Sequence, residues 1–259
     1  MRRLGVWAWW LAAPAWAGNP LAGVNHALLN GDDPAAWRAL AGSWSNLSSQ
    51  AQRAAWRQAL ESLSREHCGK DAPLSLPAWL PDLTLELAQR DMPLARNYRV
   101  VLSGRGALLD ARLQDGTGRD LLRGGLLERE EGQRFRLESA DLSQPLAAGV
   151  YRLQLNAAGR QWQAELALPE VANLSWLSRS PLAVASLPAA RPACARPWLE
   201  QSLLRRDDYS FVWWRRRELG QALNWPPRQG ELWQSVALVR AEARGQLVLR
   251  VVHRQSGPR

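Results

Sequence analysis

The spacing of apolar residues changes at Pro73, and that change constrains what this chain can fold into more than any other feature of the sequence. Before it, apolar residues recur every three or four positions. In NPLAGVNHALLNGD, Leu21, Val24, Leu28 and Leu29 keep helical spacing, and Asn30-Gly31 is a stop signal. In DDPAAWRALAGSW, Asp33 suits a helix cap and Pro34 the first helical position, while Trp37, Leu40, Ala41 and Trp44 mark one face. In SSQAQRAAWRQALESLSREHCGK, Ser48 or Ser49 is the expected cap, and Ala55, Trp56, Ala59, Leu60 and Leu63 form the stripe to be buried. About three helices are expected over residues 18–70. A bundle of roughly 50 residues buries too little surface to stand alone, so it is expected to dock on the chain beyond Pro73.

After Pro73 the period is two. LTLELAQR alternates through Leu83, Leu85 and Leu87, and NYRVVLSG places Tyr98 and Val100 on one face. Tyr151, Leu153 and Leu155 alternate up to a turn at Asn156 to Gly159, and Trp162, Ala164, Leu166 and Leu168 alternate back, the pattern of a hairpin. Short strands at regular spacing predict a β-sandwich over residues 73–170. Residues 171–197 are rich in Pro and Ala and read as a connector, with a strand around Leu182 to Ala185. Residues 198–259 repeat the grammar of the first unit. PWLEQSLLRRDDYSFVWWRR matches the earlier PAWLPDLTLELAQRD and NYRVVLSG, and GELWQSVALVRAEARGQLVLRVV matches GVYRLQLNAAGRQWQAELAL. Ordinary strand grammar competes as an explanation of that likeness. The expected fold class is mainly β with an N-terminal α-helical segment and two tandem Ig-like β-sandwich units, the second smaller.

The first 17 residues, MRRLGVWAWWLAAPAWA, have a basic start, a short apolar run and a small-x-small ending. That is the pattern of a signal peptide cleaved after Ala17, and the run is too short to span a bilayer. No later segment reads as a transmembrane span. The expected location is periplasmic, with secretion as the alternative. Cys68 and Cys194 make an even cysteine count, which in an oxidising compartment favours a disulfide. A metal site is disfavoured, because EHCGK offers only His67 and Cys68 as ligands.

The formal charge is +9, but Lys70 is the sole lysine and isoleucine is absent. Arginine, alanine and leucine stand in their place, as in a GC-rich genome. Part of the basic balance is therefore codon usage, although a basic surface still attracts anions. Nucleic acid is not expected as a partner outside the cytoplasm. Nothing matches a catalytic motif. There are three histidines, one lysine and no His-Glu-x-x-His, Gly-x-Ser-x-Gly or Ser-x-x-Lys. The pairs Asp32-Asp33 and Glu130-Glu131 read as a helix start and a solvated turn rather than as a glycosidase dyad. No enzyme activity and no cofactor are expected.

DYSFVWWRRRELG, from Asp208 to Gly220, is the stretch most like a binding device. Its candidate interface residues are Trp213, Trp214, Arg215 and Arg216. Adjacent residues on a strand face opposite ways, so one tryptophan at most enters a core by that strand alone. The other would meet a second element, a sugar ring or a protein partner.

The order LLNGDDPAAWRAL, CGKDAPLSLPAWLPDLTLELAQR, PLAAGVYRLQL and RPACARPWL resembles a family of exported proteobacterial proteins that contain a domain of unknown function. The resemblance covers most of the chain after the leader, and both Cys68 and Cys194 match family cysteines. It implies an envelope accessory protein encoded near two-component systems that respond to cell-wall stress, and it carries over no active site. The expected function is that of a periplasmic, non-enzymatic accessory or binding protein acting through contacts with another envelope protein. The alternative is a glycan-binding module for peptidoglycan or lipopolysaccharide that uses exposed Trp and Arg.

Overall fold

A computed structural model describes residues 19–130, 133–179, 182–208, 210–227 and 230–259. The expected signal peptide, Glu131 of the solvated turn and Tyr209 lie outside the described residues. Among the described residues the three α-helices are α1 (Ala22–Leu29), α2 (Asp33–Ser43) and α3 (Gln50–Glu66). Asp32 caps α2 by accepting from the Ala35 N–H at 2.9 Å, one position before the expected Asp33. Asp33 becomes the first helical residue, which shifts Pro34 one place inward, where its missing N–H still leaves no intrahelical bond unmade. Ser49 caps α3 and forms a reciprocal capping box with Gln52. Trp37, Leu40, Trp56, Leu60 and Leu63 are buried together with Ala148 and Ala167, so the helices do dock on the β region. Leu29 is exposed, because α1 ends there and the chain turns away at Gly31, with φ of +67°.

Among the described residues thirteen strands come after the helices. The first seven are β1 (Asp82–Asp91), β2 (Arg96–Arg105), β3 (Leu108–Gln114), β4 (Leu126–Glu130), β5 (Arg134–Glu138), β6 (Gly149–Ala157) and β7 (Arg160–Leu168). The connector forms a small hairpin, β8 (Leu177–Arg179) and β9 (Leu182–Val184), the latter where a strand was expected. Last come β10 (Trp198–Arg205), β11 (Phe211–Glu218), β12 (Leu232–Arg244) and β13 (Leu247–Pro258).

Their pairing departs from two tandem sandwiches. Eight strands form one curled sheet in the order β11-β10-β12-β13-β1-β2-β5-β4. Strands from both expected β units share it, joined where β1 and β13 pair in parallel from Thr84–Val248 to Asp91–Gln255. The physical reason is edge satisfaction. Each unit alone would leave a long apolar strand with an unpaired side, and those two sides pair with each other. The second layer is the three-stranded sheet β3-β6-β7, which contains the expected hairpin.

The inner face of the large sheet carries Leu83, Leu85 and Leu87 of β1 and Leu247, Leu249 and Val251 of β13. They form a single core with Leu113, Leu153, Leu155 and Leu166 of the small sheet. Alternation puts Glu86, Arg250, Glu200 and Arg254 on the outer face, which the small sheet does not cover.

Candidate functional site

The four residues singled out from the sequence lie on β11, at the edge of the large sheet. β11 pairs only with β10 among the described residues, with Trp214 opposite Ser202 and Trp213 opposite Leu203. The pleat splits the two tryptophans as expected. Trp213 is half-buried on the inner side, 5.9 Å from the Trp225 ring. Trp214 is 55 % exposed on the outer side, and Phe211 and Val212 beside it are 69 % and 50 % exposed. The arginines are split too. Arg216 stacks over Trp198 at 4.1 Å, while Arg215 stands opposite Gln201 on the other face. The structure therefore brings together Trp214, Arg216 and Phe211 and separates them from Trp213 and Arg215.

Behind that edge the outer face of the sheet curls into a trough of about 510 Å³ that all eight strands line. The trough has two halves. One end is apolar and hydroxylic, with Leu204, Phe211, Trp233, Ser235 and Ser256. The other is charged, with Arg90, Arg99 and Arg136 among Glu86, Glu138 and Asp141. Most of these charges are matched. Arg99 pairs with Glu138 and, at 2.7 Å, with Asp141. Arg136 donates to Glu138 at 2.7 Å, and Arg250 holds Glu86 at 3.5 Å. Arg254 donates to the Ser235 hydroxyl at 3.3 Å.

Arg90 stands apart. Its nearest carboxylate is Asp141 at 3.9 Å, which Arg99 already holds, and it makes no side-chain hydrogen bond among the described residues. Burial, with Arg99 and Arg254 close by, pulls its pKa down to about 10. Sequence reasoning missed this site because its residues come from eight strands. A signal was nonetheless present, since Glu86, Ala88 and Arg90 fill the alternate positions of the LTLELAQR strand that the leucines leave open.

Cys68 and Cys194 form the expected disulfide. It sits on a seam between the helical segment, the connector and the turn from β12 to β13. The Cys68 carbonyl accepts from Ala243 N–H at 2.8 Å, and the Gly69 carbonyl accepts from Gly245 N–H at 3.0 Å. Gly69, at φ +71°, has no room for a Cβ against the Ala243 carbonyl. Beside the seam lies a buried ion network that sequence reasoning also missed. Glu242 pairs with Arg244 at 2.9 Å and with Arg191, and Arg191 reaches Glu61 on α3. Full burial lowers the pKa of Arg244 to about 9. Arg244 also donates to the Ala167 carbonyl at 2.8 Å and stacks over Trp37 at 4.8 Å, tying β12 to β7 and α2.

His253 is buried on the inner face. Leu177 N–H donates to its Nδ1 at 3.1 Å, so Nε2 carries the proton and donates to Asp91 at 3.1 Å. Burial holds its pKa below the ordinary imidazole value, against the pull of Asp91. His67, near Cys68, instead bridges Asp33 and Asp71 at 2.7 Å each on the surface, and the Asp33 hydrogen bond raises its pKa.

These features define the class: a mainly β protein with a short helical flank, one disulfide and a curled sheet whose outer face is open. No helix among the described residues is long and apolar enough to cross a membrane. The chain belongs to the DUF2861 family of proteins of unknown function, whose family model matches residues 16–258 and so covers both cysteines, β11 and the trough. No curated protein matches it.

Proposed function

We propose that this is an exported, non-enzymatic binding protein of the bacterial envelope that acts by protein–protein contact through the β11 edge. One observation carries the reading: a sheet edge whose outer side pairs with no strand among the described residues also exposes Phe211, Val212 and Trp214. Such an edge is a template for a strand from another chain, and natural edges are usually blunted by charge, proline or a covering element. Arg215 and Arg216 add positive charge, so an extended segment with apolar and acidic side chains fits best. The signal-peptide pattern read in residues 1–17 and the disulfide support export. A role in the response to cell-wall stress rests on the family resemblance.

The test is a photo-crosslinking residue at position 212 in living cells. The expected result is one dominant adduct of fixed mass that fades in a Trp214→Asp background. A smear of adducts, or one indifferent to Trp214→Asp, overturns the reading. The second reading is a glycan-binding module for peptidoglycan or lipopolysaccharide, favoured by exposed Trp214 on the same face as Arg216. Co-sedimentation with purified sacculi that disappears in Trp214→Ala, with the fold intact, would select it.

A further inference from the structure

We infer that the trough on the outer face of the large sheet is a ligand site for an organic anion. Its phosphate or carboxylate would sit at Arg90, and its apolar or ring-shaped body would lie on Leu204, Phe211 and Trp233. This goes beyond the β11 contact and stands on different residues, apart from Phe211, which borders both.

The argument begins with where charge is left over. The lining holds arginines and carboxylates in equal number, so the trough as a whole attracts neither sign. The acids beside the arginines are taken: Glu138 and Asp141 by Arg99, Glu86 by Arg250. Glu128, at the β4 rim, is exposed to solvent. Arg90 is recessed at 26 % exposure, has three arginines for neighbours and holds no acceptor of its own among the described residues. A half-buried guanidinium without acceptors forgoes charge-assisted hydrogen bonds that a bidentate anion would supply.

The second observation is the other half of the trough. Exposed Phe211 and half-buried Trp233 and Leu204 form an apolar wall at the far end from Arg90. A free inorganic anion would leave that wall in water; an anion with an apolar body covers it. The volume suits a small molecule, at the lower to middle part of the usual range of ligand pockets.

Hexyl phosphate, hexanol and inorganic phosphate are the probes, titrated by calorimetry into the full disulfide-bonded protein. Hexyl phosphate should bind one per chain, with hexanol and inorganic phosphate each about tenfold weaker or worse. Arg90→Gln should weaken hexyl phosphate by about tenfold and leave hexanol unchanged, while Arg90→Lys, which keeps the charge, restores part of the loss. A readout on the unaltered protein does not depend on any variant folding: hexyl phosphate should protect Arg90 from phenylglyoxal modification, read by peptide mass. Equal binding of hexanol and hexyl phosphate, unchanged affinity in Arg90→Gln, or no protection of Arg90 overturns the proposal.

The source of the anion is read separately. Flotation with phosphatidylglycerol vesicles that is lost in Arg90→Gln assigns it to a membrane lipid, and hexyl phosphate binding without flotation assigns it to a soluble molecule. Crosslinking at position 212 should persist in Arg90→Gln, and hexyl phosphate binding should persist in Trp214→Ala, so either site can fail without the other.

Discussion

The two faces of the eight-stranded sheet are made by the same strands, one residue apart, and they obey different rules. On the inner face Leu85, Leu102, Leu249 and Val251 are sealed under the small sheet. Of the polar groups that intrude there, Gln89, Asp91, His253 and Gln255 bond to one another or to the backbone, whereas the buried Gln201 side chain makes no hydrogen bond among the described residues. On the outer face small residues such as Ala88, Ala237 and Val252 lie beneath Trp198 and the long stems of arginines. Those stems shield the small residues while their charged heads meet water, as amphipathic side chains do. One face is a packed interior and the other a lined surface. Curling of the sheet turned the second into a concavity, which a flat sheet with the same residues would lack.

The largest expected effect comes from opening the seam that clamps the connector over the inner face. Cys68→Ser should lower stability by about 4–5 kcal/mol on the loop-entropy model, because the bond closes a loop of over a hundred residues. A urea midpoint unchanged from the oxidised protein would contradict it. The sharpest contrast of the two faces is a neighbouring pair on β13. Leu249→Ala on the inner face should cost about 2–5 kcal/mol, whereas Val248→Ala, 43 % exposed on the outer face, should stay within about 0.5 kcal/mol. Similar losses at both sites would mean that the outer face is covered in solution.

The smallest effect is in pH. His253 titrates below its ordinary 6.5 in the fold, so its contribution is intact above that value. It falls as pH drops from 6.5 through the folded value, where the unfolded chain binds the proton first. His67, raised in the fold, works in the opposite sense. The difference between wild type and His253→Gln therefore isolates the buried ring. Urea midpoints should converge between the two as pH falls from 7.5 toward 5, and parallel curves would refute the assignment.

What the sequence made legible was local. Caps, helix stripes and the β6–β7 hairpin depend on residues within a few positions of each other. The cysteine pair was legible from count and compartment. The joining of β1 to β13 was not, because both strands are buried on the inner face and their sequences carry no mark of which neighbour they take. The same blindness hid the trough. The buried network was half legible: Val236, Leu238, Arg240, Glu242 and Arg244 share one face of β12, so charges continue a core stripe. Alternation alone could have raised the question of what neutralises them. The exposure of β11 was undecidable, since YSFVWW reads alike in the centre of a sheet and at its edge.

The parallel pair at the middle of the sheet has a consequence for assembly in time. β13 is the last strand among the described residues and one of the two central ones. Until it arrives, β1 shows one bare side and half the sheet has no counterpart. At roughly 5–20 residues per second of synthesis, β1 waits on the order of ten seconds or more for its partner. During that interval the N-terminal half is an unfinished surface, and β13 acts as the latch that joins the two halves of the sheet.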